Sequence, residues 1–191
     1  TITDNDEKAV FFVPQTANGY QGSRILTMAT DGSYQLSEQI SSNWNRSFHA
    51  VTTDYNHDGF GDLLLPTTEY YDGGVGVLQL FDYSFHWQST ISSQSDIGAI
   101  KAFDINQDGF EDAILGGNIY ETEVETPRLD AFSGLILVSN GKDGYTPMSQ
   151  QNSGIVMNGN IKDLMMFEMG KSTGLMAAQN NGQILLYKKK D

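Results

Sequence analysis

The sequence predicts an all-β chain made of repeated small sheets. Two observations carry this prediction: short apolar runs separated by turn residues, and an acidic loop that occurs twice. Runs of strand length recur along the 191 residues, among them "AVFFVP", "SRILTMAT", "DLLLP", "VGVLQLFD", "DAILGG", "SGLILVSN", "GLMAAQN" and "QILLYKKK". Gly, Asn, Asp and Ser stretches such as "TDGS", "GKDG" and "QNNG" separate them, and no segment sustains a 3.6-residue apolar period over three turns. The repeated loop is "DYNHDGFGDLLLP" at 54–66, with "DINQDGFEDAILGG" at 104–117.

Aligning the two loops defines a unit. An apolar strand ends in the first Asp, the loop follows, a second strand starts at the last Asp, and two more strands complete the set. One unit has expected strands at Phe48–Asp54, Asp62–Pro66, Val75–Asp82 and Ser84–Ser89. The next has Gly98–Asp104, Asp112–Gly116, Gly134–Asn140 and Tyr145–Ser149. A period of roughly 40–50 residues with four strands is what a β-propeller blade requires, because each small sheet buries its faces only against its neighbours.

The ends extend the pattern. "IKDLMMFEMGKSTGLMAAQN" superposes on "IKAFDINQDGFEDAILGGN" when Glu168 takes the place of Asp104 and the loop shrinks to a turn. That unit stops after its third strand. At the front, "TDNDEKAVFFVP" reads as a degenerate loop feeding the second strand of an earlier unit with three strands. The expected units are 1–46, 47–96, 97–160 and 161–191. Together they make a single partial β-propeller of about three and a half blades, fewer strands than closure needs, so the expectation is a fragment or a chain completed by something else.

Position by position, the first loop offers Asp54, Asn56, Asp58, the carbonyl of Phe60, and Asp62; the second offers Asp104, Asn106, Asp108, the carbonyl of Phe110, and Asp112. Alternate side chains can curl round one centre, while Gly59 and Gly109 permit the sharp turn. Three carboxylates and only oxygen donors point to Ca²⁺, in two sites; Mg²⁺ demands tighter octahedral geometry and Zn²⁺ prefers His or Cys. An EF-hand is excluded because its twelfth position needs Glu, whereas Leu65 and Leu115 stand there. The alternative is an Asx-rich turn without metal.

The pattern D-x-N-x-D-G-x-x-D followed by an apolar strand, over 47–66 and 97–116, resembles the FG-GAP or VCBS repeat of integrin-α-like β-propellers. The segments "GNIYETEVETPRLDAFSGLILVSNGKDGYT" and "GNIKDLMMFE…AAQNNGQILLY" resemble C-terminal blades of bacterial ASPIC/UnbV-related repeat proteins, extending the likeness over 45–188. The resemblance implies calcium in both loops and a seven- or eight-bladed propeller of which this chain is the C-terminal part. It implies no ion at Asp4, Asp6 or Glu168, because the first and last units lack the acidic ligands.

Composition narrows the function classes. The formal charge of −13, from 24 acidic and 11 basic residues, disfavours nucleic acid, which needs clustered Lys and Arg. The chain has no cysteine, hence no thiolate metal site or cysteine nucleophile, and no apolar run of roughly 18 residues for membrane insertion. Lys188, Lys189 and Lys190 read as a strand ending in solvated charge. "MGKST" at 169–173 reads as a turn rather than a P-loop, since Met165 stands where the earlier Gly would be. "GGVGVL" at 73–78 reads as part of a hairpin rather than a dinucleotide loop.

His49, His57 and His86 lack spaced partners for a zinc site or a triad. Glu121, Glu123 and Glu125 share one face if extended, with Arg128 and Asp130 following; a solvated loop competes there with a carboxylate pair for glycoside cleavage. Trp44, Tyr70, Tyr71 and Trp87 fit packing roles or stacking on a sugar or protein partner. Asn45-Arg46-Ser47 fits a glycosylation sequon. The expectation is a non-enzymatic, calcium-stabilised module of a secreted or cell-surface protein that binds a protein or glycan. Its rivals are a polysaccharide-degrading enzyme and a structural subunit of a surface assembly.

Overall fold

In the computed structural model of the chain, the described residues are 2–3, 9–13, 24–28, 31–36, 51–57, 59, 61–67, 74–81, 84–92, 97–118, 120, 130–142, 144–170 and 172–189. They form fifteen strands in four antiparallel sheets and a single helical turn, Gln150–Ser153. Three sheets have four strands each, ordered β1-β2-β3-β4, β5-β6-β7-β8 and β12-β11-β10-β9; the last has three, β13-β14-β15. The all-β expectation holds at this level. One strand count differs: the first sheet gains β1 (Ile2–Thr3), paired with β2 (Ala9–Val13), where three strands were expected. The remaining strands of that sheet are β3 (Arg24–Met28) and β4 (Tyr34–Leu36).

The chain divides into two compact units, Thr1–Ser95 with Gly141–Gly144, and Asp96–Asn140 with Tyr145–Asp191. In the first unit, β5 (Val51–Thr53), β6 (Asp62–Thr67), β7 (Gly74–Phe81) and β8 (Ser84–Ser92) form an up-and-down meander. "GGVGVL" thus runs into β7, which pairs with both β6 and β8. Leu63 and Leu64, which point to opposite faces of β6, are both buried. That sheet is therefore apolar on both sides at its second strand.

The second unit repeats the meander with β9 (Ile97–Phe103), β10 (Asp112–Gly117), β11 (Leu135–Ser139) and β12 (Tyr145–Met148). It then adds β13 (Ile161–Met169), β14 (Ser172–Gln179) and β15 (Leu185–Lys188). Residues aligned between the two sheets pair alike. Leu115 pairs with Ile100 and Ala113 with Ala102; their counterparts Ala177 and Leu175 pair with Leu164 and Met166. A bulge also recurs at the same place, opposite Gly116/Gly117 in one sheet and at Ile161/Asp163 in the other.

That second bulge turns both Ile161 and Leu164 inward. They join Leu175 and Ala177 in one buried cluster with Ala99, Ile114 and Met157, so the β13–β15 sheet lies on the β9–β12 sheet. Two glycines make the approach possible. A Cβ at Gly116 would come within 2.6 Å of Ile161 Cγ2, and one at Gly98 would strike the backbone oxygen of Ile161. Asn118 then closes the junction: its buried amide donates to Phe132 O at 2.7 Å and Gly159 O at 3.0 Å, while its Oδ1 accepts from Phe132 N at 3.0 Å. Every hydrogen-bonding group of that buried side chain is used, as burial demands.

Candidate functional site: two acidic loops

Both acidic loops run from the end of a first strand to the start of a second, β5 to β6 and β9 to β10. Their backbones follow the same course. The fourth position is left-handed in each, at His57 (φ 58°) and Gln107 (φ 65°), and so is the sixth, at Gly59 (φ 89°) and Gly109 (φ 92°). Glycine was expected at the sixth position; a left-handed non-glycine at the fourth was not. Such a residue carries strain that local hydrogen bonds must offset.

Those bonds come from the loop's own carboxylates. In the second loop, Asp104 Oδ1 accepts from Gln107 N (2.7 Å) and Asp108 N (3.1 Å), and its Oδ2 accepts from Gly109 N (2.9 Å). Asn106 Oδ1 accepts from Asp108 N (3.0 Å), Asn106 Nδ2 donates to Asp108 Oδ2 (2.8 Å), and Asp108 Oδ1 accepts from Phe110 N (2.9 Å). In the first loop Asp54 Oδ2 accepts from Gly59 N at 3.0 Å, the counterpart of the Asp104 bond. Asp58 and Phe60 lie outside the described residues.

The ninth position behaves differently from the rest. Asp62 and Asp112 are both fully buried, at 0% exposure, whereas residues 106–109 are exposed. Asp62 Oδ2 accepts from Tyr55 N and Asp112 Oδ2 from Ile105 N, each at 3.0 Å. Asp112 Oδ1 also accepts from Ser139 N at 2.9 Å, tying the loop to β11. Burial pushes the Asp112 carboxyl above its ordinary value; the bonds from Ser139 and Ile105 oppose that, and the charge of Asp108 reinforces it.

The donor set is all oxygen and anionic, which suits a hard cation by type. Accepting these N–H groups does not exhaust the roughly four lone-pair sites of each carboxylate. Among the described residues, no three His, Asp or Glu side chains are gathered as a metal-holding group. Asp104, Asp108 and Asp112 in the second loop, and Asp54 and Asp62 in the first, each turn a carboxylate oxygen toward a backbone N–H group.

Two participants escaped sequence reasoning. Ser139 reaches Asp112 across 27 residues, and Lys189 Nζ donates to Ile105 O at 2.9 Å across 84. Neither separation leaves a local signal; "YKKK" showed only a charged strand end. Of the other candidates, 121–129, carrying Glu121, Glu123, Glu125 and Arg128, lie outside the described residues, as do Trp44, Asn45, Arg46, Ser47, His49, Tyr70, Tyr71 and Lys190. "MGKST" forms the β13–β14 hairpin, with Met169 paired to Ser172 and Gly170 left-handed. Among the described residues no helix is long and apolar enough to cross a membrane. No protein-family model matches the chain, and no curated protein matches it either.

Proposed function

We propose that this chain is a calcium-stabilised β-propeller segment of a secreted or cell-surface protein, which binds or scaffolds a protein or glycan without catalysis. The observation that carries the reading is the duplicated loop. Two nine-residue segments with matching acidic residues share left-handed fourth and sixth positions, a first Asp bonded to the glycine N–H, and a buried ninth Asp at the mouth of a strand. The likeness of that pattern to FG-GAP/VCBS repeats supplies the rest of the reading, including further blades from a longer chain or another subunit.

In this reading the protein's residues do positional work. Asp104 and Asp54 hold the turn through the glycine N–H and Asp112 and Asp62 anchor its exit, while their remaining lone pairs and the side chains between them would supply oxygen to the ion. Calcium would relieve the repulsion among three carboxylates and stabilise the fold by mass action. Extracellular modules of this kind work with dissociation constants of roughly 10⁻⁴–10⁻³ M, which fits a calcium-rich location. The test is thermal melting in calcium against EGTA, with calcium content measured after dialysis. A rise in melting temperature that shrinks in Asp58→Asn and again in Asp108→Asn is expected; identical melts with and without calcium would refute the reading.

A further inference from the structure

We infer that Lys189 lowers the cation affinity of the second acidic loop, so that the last sheet regulates the site built on the sheet before it; this rests on reading that loop as a calcium site. Lys189 directly follows β15, and its backbone N–H donates to Thr173 O at 3.1 Å, which fixes the residue beside β14. From there Nζ donates to Ile105 O at 2.9 Å. Ile105 is the second residue of the loop, and its own N–H donates to the buried Asp112 carboxylate. One residue therefore has an ammonium on its carbonyl and a loop carboxylate on its amide.

The charge arithmetic gives this contact a direction. Three carboxylates in nine residues favour any nearby positive charge, so the ammonium stabilises the empty loop. A divalent ion held among Asp104, Asp108 and Asp112 would instead be repelled by it. The attraction to the carboxylates persists when the ion is bound and cancels from the affinity, so the repulsion alone weakens ion binding. The ammonium sits on an exposed residue, so solvent and salt reduce the interaction. Coulomb's law for a single and a double charge at about 10 Å in a water-like dielectric gives roughly fourfold in affinity, which screening at low salt lowers to about threefold. The β13–β15 sheet has a tight turn where its predecessor has the acidic loop, and it contributes a cation to that predecessor's loop instead.

Calcium titration of the intact chain by calorimetry tests this, with wild type, Lys189→Gln and Lys189→Arg each at low and high potassium chloride. The same set is repeated with Asp58→Asn, so that the second loop reports alone. Gln retains a hydrogen-bond donor for Ile105 O and removes the charge; Arg retains both. The expected result is about threefold tighter binding in Lys189→Gln at low salt, a smaller difference at high salt, and wild-type affinity in Lys189→Arg. Unchanged affinity in Lys189→Gln, or equal shifts in Gln and Arg, would overturn the tuning while leaving the loop reading intact. Absence of calcium uptake in every folded variant would overturn both.

Discussion

The β9–β12 and β13–β15 sheets are built on one register and finished in two ways. In the first, eight residues from Asp104 to Glu111 join the first two strands; in the second, the strands meet in a hairpin with Met169 paired to Ser172. The first sheet is buried on both faces, since Ile114 and Ile136 on one and Ala113, Leu115 and Leu137 on the other are all 3% exposed or less. Its successor is buried on one. Met165, Met176 and Leu186 form a cross-strand row opposite the core face, with Met165 49% and Leu186 63% exposed. Positions that match in strand pairing between the two sheets therefore differ in energetic weight according to what lies over them.

The largest test of that contrast is a matched pair. Ile136→Ala should cost about 3 kcal/mol, and Leu186→Ala at the equivalent position within about 0.5–1 kcal/mol, because only the first leaves a cavity in a packed layer. Urea denaturation of the two variants measures it, and equal losses would break the comparison.

Next in size is the loop anchor. Asp112→Ala leaves the N–H groups of Ile105 and Ser139 without their acceptor and should cost about 2–3 kcal/mol. Glu168 occupies the place of Asp104 in the last sheet and is exposed; Glu168→Ala should change stability by no more than about 0.5 kcal/mol.

Gly98→Ala should follow, at about 2 kcal/mol, because the new methyl would meet the Ile161 carbonyl, which is backbone and cannot swing away. At the equivalent bulge position the last sheet carries Lys162, where truncation to Ala should stay within about 0.5 kcal/mol. The smallest effect concerns Tyr187, whose hydroxyl donates to Val156 O at 2.6 Å and whose pKa burial raises above its ordinary value. Because the folded state resists ionisation, this group's stabilisation is complete below about pH 10 and is lost as pH climbs through the folded pKa. Melting curves from neutral to strongly alkaline pH should therefore fall less steeply in Tyr187→Phe than in wild type; parallel curves would remove Tyr187 from the account.

Much of the second unit was legible in the residues because its signals are local. Alternation in "SGLILVSN" and the run "DAILGG" gave strands close to their observed bounds, with Leu135–Ser139 one residue shorter at each end than expected. The absence of the acidic motif from the last unit foretold its hairpin. The extra strand Ile2–Thr3 was not legible, since two residues hold too little pattern to distinguish a strand from a tail.

The acidic loops divide along the same line. By itself the sequence determined that Asp, Asn, Asp, Gly and Asp recur at fixed offsets beside apolar strands, because covalent spacing alone places those oxygens in one tight turn. Only the tertiary structure decided that the ninth Asp is buried in both loops, that Asp112 is bridged to Ser139, that Ile161 rests over Gly98 and Gly116, and that Lys189 reaches Ile105. Those contacts depend on how sheets stack, and stacking is set by the summed burial of whole faces, a quantity that no short window of sequence contains.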